Sequence, residues 1–430
     1  MKEFRREALD ERWVEDRLPG GLIATVWPKR GYRKVYAVVG VRFGSLDCRV
    51  RTGDTGERFA FPAGIAHFLE HQLFEGPSGG VFAQYAARGA SANAFTGHER
   101  TAYLFSATDD VQELLDVLLE AVLTPRFTEA TVSKEKSVIT QEIMMYRDHP
   151  DWQCHQGLLQ AMYRHHPVRT DIAGTAESVA AITKDDLVRC HELFYHPSNM
   201  RLVVAGGVEP EAVLDHVRNR LAARSFLPFR APEREKPEEP ETTVERERRI
   251  RMPVSMPRCM IGWKSAAPEP EGIEPLRREI AVRLVLEAAL GKSTDFYDRL
   301  YREGLATDVF SADFHCGTDF AHVIVGGETP NPEAWARRVR DEIRRAVESG
   351  VPEHAFERAR RKKTGSFLRM IQSPEAANEW LRLGMRGWSL FDVLDHLDAL
   401  TADEAWQLFR QTVSPDDDRL AMSVVETEGA

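Results

Sequence analysis

Apolar positions along the chain change period several times, and each change marks an element. Apolar runs at residues 21–26 and 34–43 predict strands, and a helix begins at about residue 62. A Gly-rich break at residues 76–80 ends it. Strands are predicted at 90–96 and 101–107, helices at 110–123, 128–147 and 183–195, and a closing strand at 200–205. The second half repeats this order loosely, with a strand at 259–263, a helix at 276–290, strands at 309–315 and 320–326, several helices and a last strand at 420–425. The pattern predicts an α+β unit used twice, each an antiparallel-rich sheet covered by helices. Residues 228–241, rich in Pro and charge and poor in side chains that pack, predict a linker. The expected division is a first α+β domain at 1–227, a linker at 228–245 and a second α+β domain at 246–430.

A chain of 430 residues with 43% hydrophobic content can bury more than one core. Residues 1–13 are charged throughout and lack the apolar stretch of a secretory signal. No run of about 18 apolar residues is present to span a bilayer. The expectation is a cytoplasmic protein with no membrane partner. Cys48, Cys154, Cys190, Cys259 and Cys316 show no C-x-x-C spacing, which argues against a disulfide framework or a thiolate zinc knuckle. Acidic residues exceed basic ones by 67 to 57, for a net charge of −10, and no Lys/Arg stripe is sustained. Nucleic acid is therefore not an expected partner. The basic run at 358–363 reads as a solvated helix face.

The candidate chemistry lies in the predicted helix after residue 62. His67 and His71 are four apart, so on a helix they lie one turn above each other and can offer two imidazoles to one ion. Glu70, three after His67, shares that face, while Ile65, Phe68, Leu69 and Leu73 form a separate apolar side. An H-x-x-[D/E]-H string would arise from composition roughly 0.07 times in this chain. A catalytic zinc site needs a third protein ligand and an open fourth position. The best donors lie in the helix predicted at 128–147, where Glu135 and Glu142 are seven apart and share a face. His98, His149, His155, His165, His166, His191 and His196 are alternative ligands, but none pairs with a Glu at helical spacing as well.

This H-x-x-E-H string, followed some seventy residues later by a Glu-x6-Glu helix, resembles the insulinase (pitrilysin, M16) family of inverted zincins. The resemblance implies zinc, one ion per chain, held by His67, His71 and Glu142, with Glu70 as general base and Glu135 supporting the site. It implies a zinc metalloendopeptidase acting on extended peptides, or else a silent scaffolding relative that keeps the fold. The segment 90–96 resembles the family's strand that takes up substrate by edge pairing, which implies substrate contacts at Ser91, Ala92, Asn93 and Ala94. The length fits the family's short-subunit branch, half of a clam-shaped chamber, and is similar to bacterial insulinase-like proteins linked by name to elongation factor P modification. A homodimer or a heterodimer with a homologous chain is implied. One departure concerns an Arg and a Tyr, seven apart, that family peptidases present from a later domain. Here those positions hold Tyr301 and Thr307 or Asp308, so the implied partner is a zinc-less chain carrying the pair, unless Arg299 or Arg302 takes the role.

Overall fold

The computed structural model describes residues 1–53, 55–75, 80–267 and 272–427. They divide into two units, one made of Met1–Ile143, Asp171–Glu235 and Arg369–Leu390, the other of Met144–Thr170, Lys236–Leu368 and Phe391–Ala430. The architecture is α+β in both. The predicted break at 76–80 lies, for residues 76–79, outside the described residues.

The strands of the first unit are β1 (Lys2–Arg6), β2 (Glu11–Arg17), β3 (Ile23–Pro28), β4 (Val35–Val41), β5 (Arg49–Arg51), β6 (Arg58–Ala60), β7 (Ser91–Thr96), β8 (Thr101–Ala107), β9 (Met200–Gly206) and β10 (Glu233–Arg234). Seven of them form one sheet in the order β1-β2-β3-β9-β4-β8-β7, and β10-β5-β6 form a small second sheet. The Val-rich β4 is buried at every position and sits inside the large sheet, as a strand covered on both faces must. The polar β7, with Ser91 and Asn93 exposed, sits at an edge. Its helices are α1 (Ile65–Glu75), α2 (Gly80–Ala86), α3 (Val111–Leu123) and α4 (Glu129–Arg147), then, beyond α5 (Pro150–Met162) of the other unit, α6 (Ala176–Ala181), α7 (Lys184–Phe194) and α8 (Pro210–Ala222).

The second unit contains β11 (Glu247–Met252), β12 (Arg258–Ser265), β13 (Phe310–Cys316), β14 (Ala321–Glu328) and β15 (Leu420–Thr427) in the order β11-β15-β12-β14-β13. This reproduces β3-β9-β4-β8-β7 strand for strand. The first pair is parallel in each sheet, β3 with β9 and β11 with β15, and the other pairs are antiparallel. Helices α9 (Glu274–Leu290) and α10 (Asp295–Arg302) follow β12 as α1 and α2 follow β4. The remaining helices are α11 (Pro332–Ser349), α12 (Glu353–Met370), α13 (Ala377–Met385), α14 (Asp392–Ala399) and α15 (Ala402–Thr412), of which α13 belongs to the first unit. Each unit thus takes a helix from the far half of the sequence: α5 packs on β11, β12 and β15, and α13 packs on β4 and β9.

Two stretches that read as bare charge turn out to be held in the fold. Residues 2–17 form the β1–β2 hairpin, in which Lys2 faces Glu15, Arg6 faces Glu11, and the Phe4 and Trp13 rings stack at 5.4 Å. The passage between units at Glu235–Lys236 falls inside the predicted linker 228–245, yet this segment is bound in place by polar contacts. The Glu235 amide donates to the Arg49 carbonyl. The Glu239 carboxylate accepts from the amides of Arg164, His165 and His166 at 2.6–2.9 Å and from Lys264 Nζ at 2.5 Å. Although burial opposes it, these donors hold the Glu239 carboxyl down at about 2. Among the described residues no helix is long and apolar enough to cross a membrane.

Candidate metal centre

Helix α1 begins where the chain leaves Gly64 at φ +90°, a left-handed conformation in which a side chain is strained. A Cβ on Gly64 would also strike the Ala173 carbonyl, and one on Gly174, at φ +80°, would strike the Ala63 carbonyl. The two turns press backbone to backbone, and Ser178 Oγ donates to the Ala63 carbonyl at 2.8 Å. From there Ile65, Ala66, Phe68, Leu69, Leu73 and Phe74 are buried in the first core. Burying one face of the helix fixes its rotation, and His67, Glu70 and His71 share what remains. Helix α4 is anchored by Val132, Ile139 and Ile143 on its buried face, and it is tied to α1 where Thr131 Oγ1 donates to Gln72 Oε1 at 2.9 Å and Gln72 Nε2 to the Thr131 carbonyl at 3.2 Å.

These anchors bring His67, His71 and Glu142 together, with one ligand atom from each lying within 4.8 Å of the others; among the described residues this is the one such group. Glu142 Oε2 stands 3.7 Å from His67 Nε2 and 3.5 Å from His71 Nε2. Those gaps exceed a hydrogen bond and match the roughly 3.4 Å edge of a tetrahedron with bonds near 2.1 Å, so the three residues fit a zinc ion. Burial, and then the neighbouring His71, push the His67 imidazole down to about 3, which keeps its lone pair free at neutral pH. Burial works the same way on His71, but its hydrogen bond to Glu135 and the charges of Glu70, Glu135 and Glu142 raise it overall. Glu135 is itself buried and takes the His71 Nδ1 hydrogen at 2.9 Å, which turns Nε2 towards Glu142. His67 Nδ1 is buried and has no such partner among the described residues. The Glu142 carboxyl is raised, first by burial.

Glu70 is 7% exposed, and burial pushes its carboxyl up to about 7. Thr96 Oγ1, at the end of β7, donates to Glu70 Oε2 at 2.5 Å. Thr96 did not stand out in the sequence, although the period of two along 91–96 was a usable signal. It places Ala92, Ala94 and Thr96 on the face towards α1, where both alanines pack on the core. Ser91 and Asn93 lie on the opposite, exposed face. Ser91 Oγ is 3.4 Å from Ser106 Oγ, and Asn93 Oδ1 accepts from the Ala94 amide.

The other histidines have work elsewhere. His98 Nδ1 meets Ser45 Oγ at 2.9 Å, and His149, His166 and His196 accept backbone amides at helix starts. His165 offers its amide to Glu239, His155 lies beside His315 in the second unit, and buried His191 Nε2 donates to the Val122 carbonyl at 2.8 Å. In that unit Tyr301 is exposed on α10, Thr307 Oγ1 reaches Glu328, and Arg302 pairs with Asp298 one turn away.

Two histidines four apart on one helix, a buried glutamate beside the second and a third carboxylate from a later helix thus stand close together in the first unit. Residues 50–176 match the family model described as insulinase (peptidase family M16), and residues 181–363 match the one described as peptidase M16 inactive domain. The Bacillus subtilis protein named as an uncharacterized zinc protease, YmfH, is 42% identical over 417 residues, 97% of each chain. The chain belongs to the peptidase M16 family. A crystal structure from Alicyclobacillus acidocaldarius described as an M16-like peptidase aligns with TM-score 0.92 and 38% identity, over 97% of this chain and 99% of that one. The fold alone is shared with the first half of the Escherichia coli periplasmic protease PqqL, at TM-score 0.70 and 16% identity over 97% of this chain and 92% of that one.

Proposed function

We propose that the chain is a zinc-dependent endopeptidase subunit that hydrolyses extended peptides, with one zinc held by His67, His71 and Glu142. The observation that carries this reading is Glu142 Oε2 standing 3.7 Å from His67 Nε2 and 3.5 Å from His71 Nε2, with a buried glutamate on the same helix as the histidines. When bound, the ion supplies a polarised peptide carbonyl and a water acidic enough to react at neutral pH. Glu70, held by burial near neutrality, accepts a proton from the attacking water and hands it to the leaving amine. Glu135 keeps the His71 ring in the ligating orientation through the bond at Nδ1. The peptide adds as a strand to β7, an edge of its sheet, so that Ser91, Ala92, Asn93 and Ala94 read main chain.

The chain has the length and fold of one half of a protease such as PqqL, which favours action as a homodimer or a heterodimer with a homologous chain. Tyr301, Thr307 and Asp308 at the positions of the family's Arg and Tyr favour a zinc-less partner that donates that pair to the developing oxyanion. The same positions, together with the match of 181–363 to the family's inactive domain, favour a second reading as a silent scaffold. Assay of the purified chain on a mixed peptide pool, alone and with each homologous zinc-less chain of the same cell, separates these. Cleavage that needs a partner and is lost in Glu70→Gln supports the split site. Cleavage by the chain alone rejects the split site and keeps the peptidase. No cleavage with any partner favours the scaffold.

A further inference from the structure

Glu70 carries a proton in the proposed reaction, yet it sits on a helix whose rotation is set by other residues, so something must aim its carboxylate. Its neighbours His71 and Glu142 act on it through charge. Among the described residues one side chain hydrogen-bonds to it, the Thr96 hydroxyl, at 2.5 Å from Oε2. That distance is in the range of a hydroxyl donating to an ionised carboxylate. Thr96 is itself well held. It closes β7 opposite Thr101, whose hydroxyl donates to the Phe43 carbonyl at 2.8 Å in the buried interior. Along the same strand face Ala92 and Ala94 are small enough to let α1 come close, which brings Thr96 Oγ1 within reach of Glu70. A β-branched residue in a strand has few rotamers, so the hydroxyl is delivered from a stiff support.

We infer that Thr96 is the positioning residue of the general base: it fixes Glu70 Oε2 and leaves Oε1 as the oxygen that takes and returns the proton. The inference rests on the peptidase reading above and adds a consequence. The base is aimed from the strand on which substrate is expected to pair, so strand and base move as one piece. The hydrogen bond from Thr96 goes to Glu70 and not to a ligand, so its loss should spare the metal while slowing the chemical step.

The experiment compares the full chain, with its partner where one is required, as parent, Thr96→Val, Thr96→Ser and Glu70→Gln. Each is measured for zinc by elemental analysis, for the visible absorption of the cobalt(II)-loaded protein, and for kcat and KM on one peptide. Valine keeps the shape and strand preference but removes the hydroxyl; serine keeps the hydroxyl. The expected result for Thr96→Val is one zinc per chain, a parent-like cobalt spectrum, KM within about twofold and kcat lower by about 10- to 100-fold. Thr96→Ser should stay within about threefold of the parent. Parental kcat in Thr96→Val beside a silent Glu70→Gln overturns the role of Thr96 alone. Lost zinc or an altered cobalt spectrum in Thr96→Val, or a serine variant as slow as the valine one, assigns Thr96 to structure and also overturns it. Parental kcat in Glu70→Gln overturns Glu70 as the base, and a parent that cleaves no peptide, alone or with its partner, overturns the peptidase reading beneath it.

Discussion

Helices α1 and α9 occupy the same place in two sheets of the same strand order, and they treat buried charge in opposite ways. In α9 the buried Glu279 is answered within its own helix by Arg283 at 2.6 Å, and Arg283 also reaches Asp313 at 2.9 Å and the Phe314 carbonyl at 3.1 Å. In α1 the buried Glu70 pairs with no Lys or Arg among the described residues, and two imidazoles face a carboxylate across gaps too long for hydrogen bonds. A scaffold helix neutralises its charges internally. A site helix leaves polar atoms convergent and desolvated, ready for something outside the chain to satisfy them. The fold is therefore silent about chemistry, and the difference lies in a few side chains on one helix face.

The comparison can be tested from both sides. Replacing Glu70 by Gln should leave zinc content unchanged and lower peptide turnover by roughly 10²- to 10⁴-fold, since a base and not a ligand is removed; equal turnover would remove the contrast between the helices. On the other side, Arg283→Met strands Glu279 in the second core and should cost about 2–3 kcal/mol in chemical denaturation, less than for a fully buried pair because Arg283 is about a third exposed. Zinc content should not change. The double replacement Glu279→Leu with Arg283→Met should recover most of the loss, and failure to recover would mean that the pair does more than balance charge.

Glu135→Ala frees the His71 ring and should weaken zinc affinity by about 10- to 100-fold in chelator competition, with the fold intact. The smallest effect concerns a buried histidine outside the site. Burial lowers His191 to about 4. As pH falls below about 6.5 the unfolded chain takes up that proton, whereas the folded chain takes it up only near 4, so stability declines across that window. Between pH 7 and pH 5 His191 should account for on the order of 1–2 kcal/mol. His191→Asn, less stable at pH 7 through the lost bond to Val122, should show a shallower decline, measured by urea unfolding at the two pH values.

How much of this could be read from the sequence followed how local the determinant was. His67, Glu70 and His71 depend only on helical spacing, so they were legible as candidates before any packing was known, while Glu142, which the structure brings beside the two histidines, was singled out from Glu135 only by the family resemblance. The strands whose apolar residues run together, such as β4 and β9, were legible for the same reason. Strand β1 with its charged partner β2, and β11 with Glu247, Arg248, Arg249 and Arg251, were not. Their charged side chains hide the period of two, and strand pairing, with a few packed side chains such as Trp13 and Val14, makes them strands. Segment 228–245 read as a linker because nothing in it packs, yet Glu239 holds it through backbone amides that no composition displays. Thr96 needed the position of α1 against β7, and the placement of α5 and α13 needed the units themselves, both long-range facts.

Helix α1 with α4 should hold a metal, and the equivalent helix of the second unit should not. Elemental analysis of the purified chain and of His67→Ala, His71→Ala and Glu142→Gln tests it most directly, since each change removes one ligand atom. One zinc per parent chain and a strong loss in all three variants is the expected result. Unchanged zinc in all three, or a parent chain that takes up none when zinc is supplied, would contradict it.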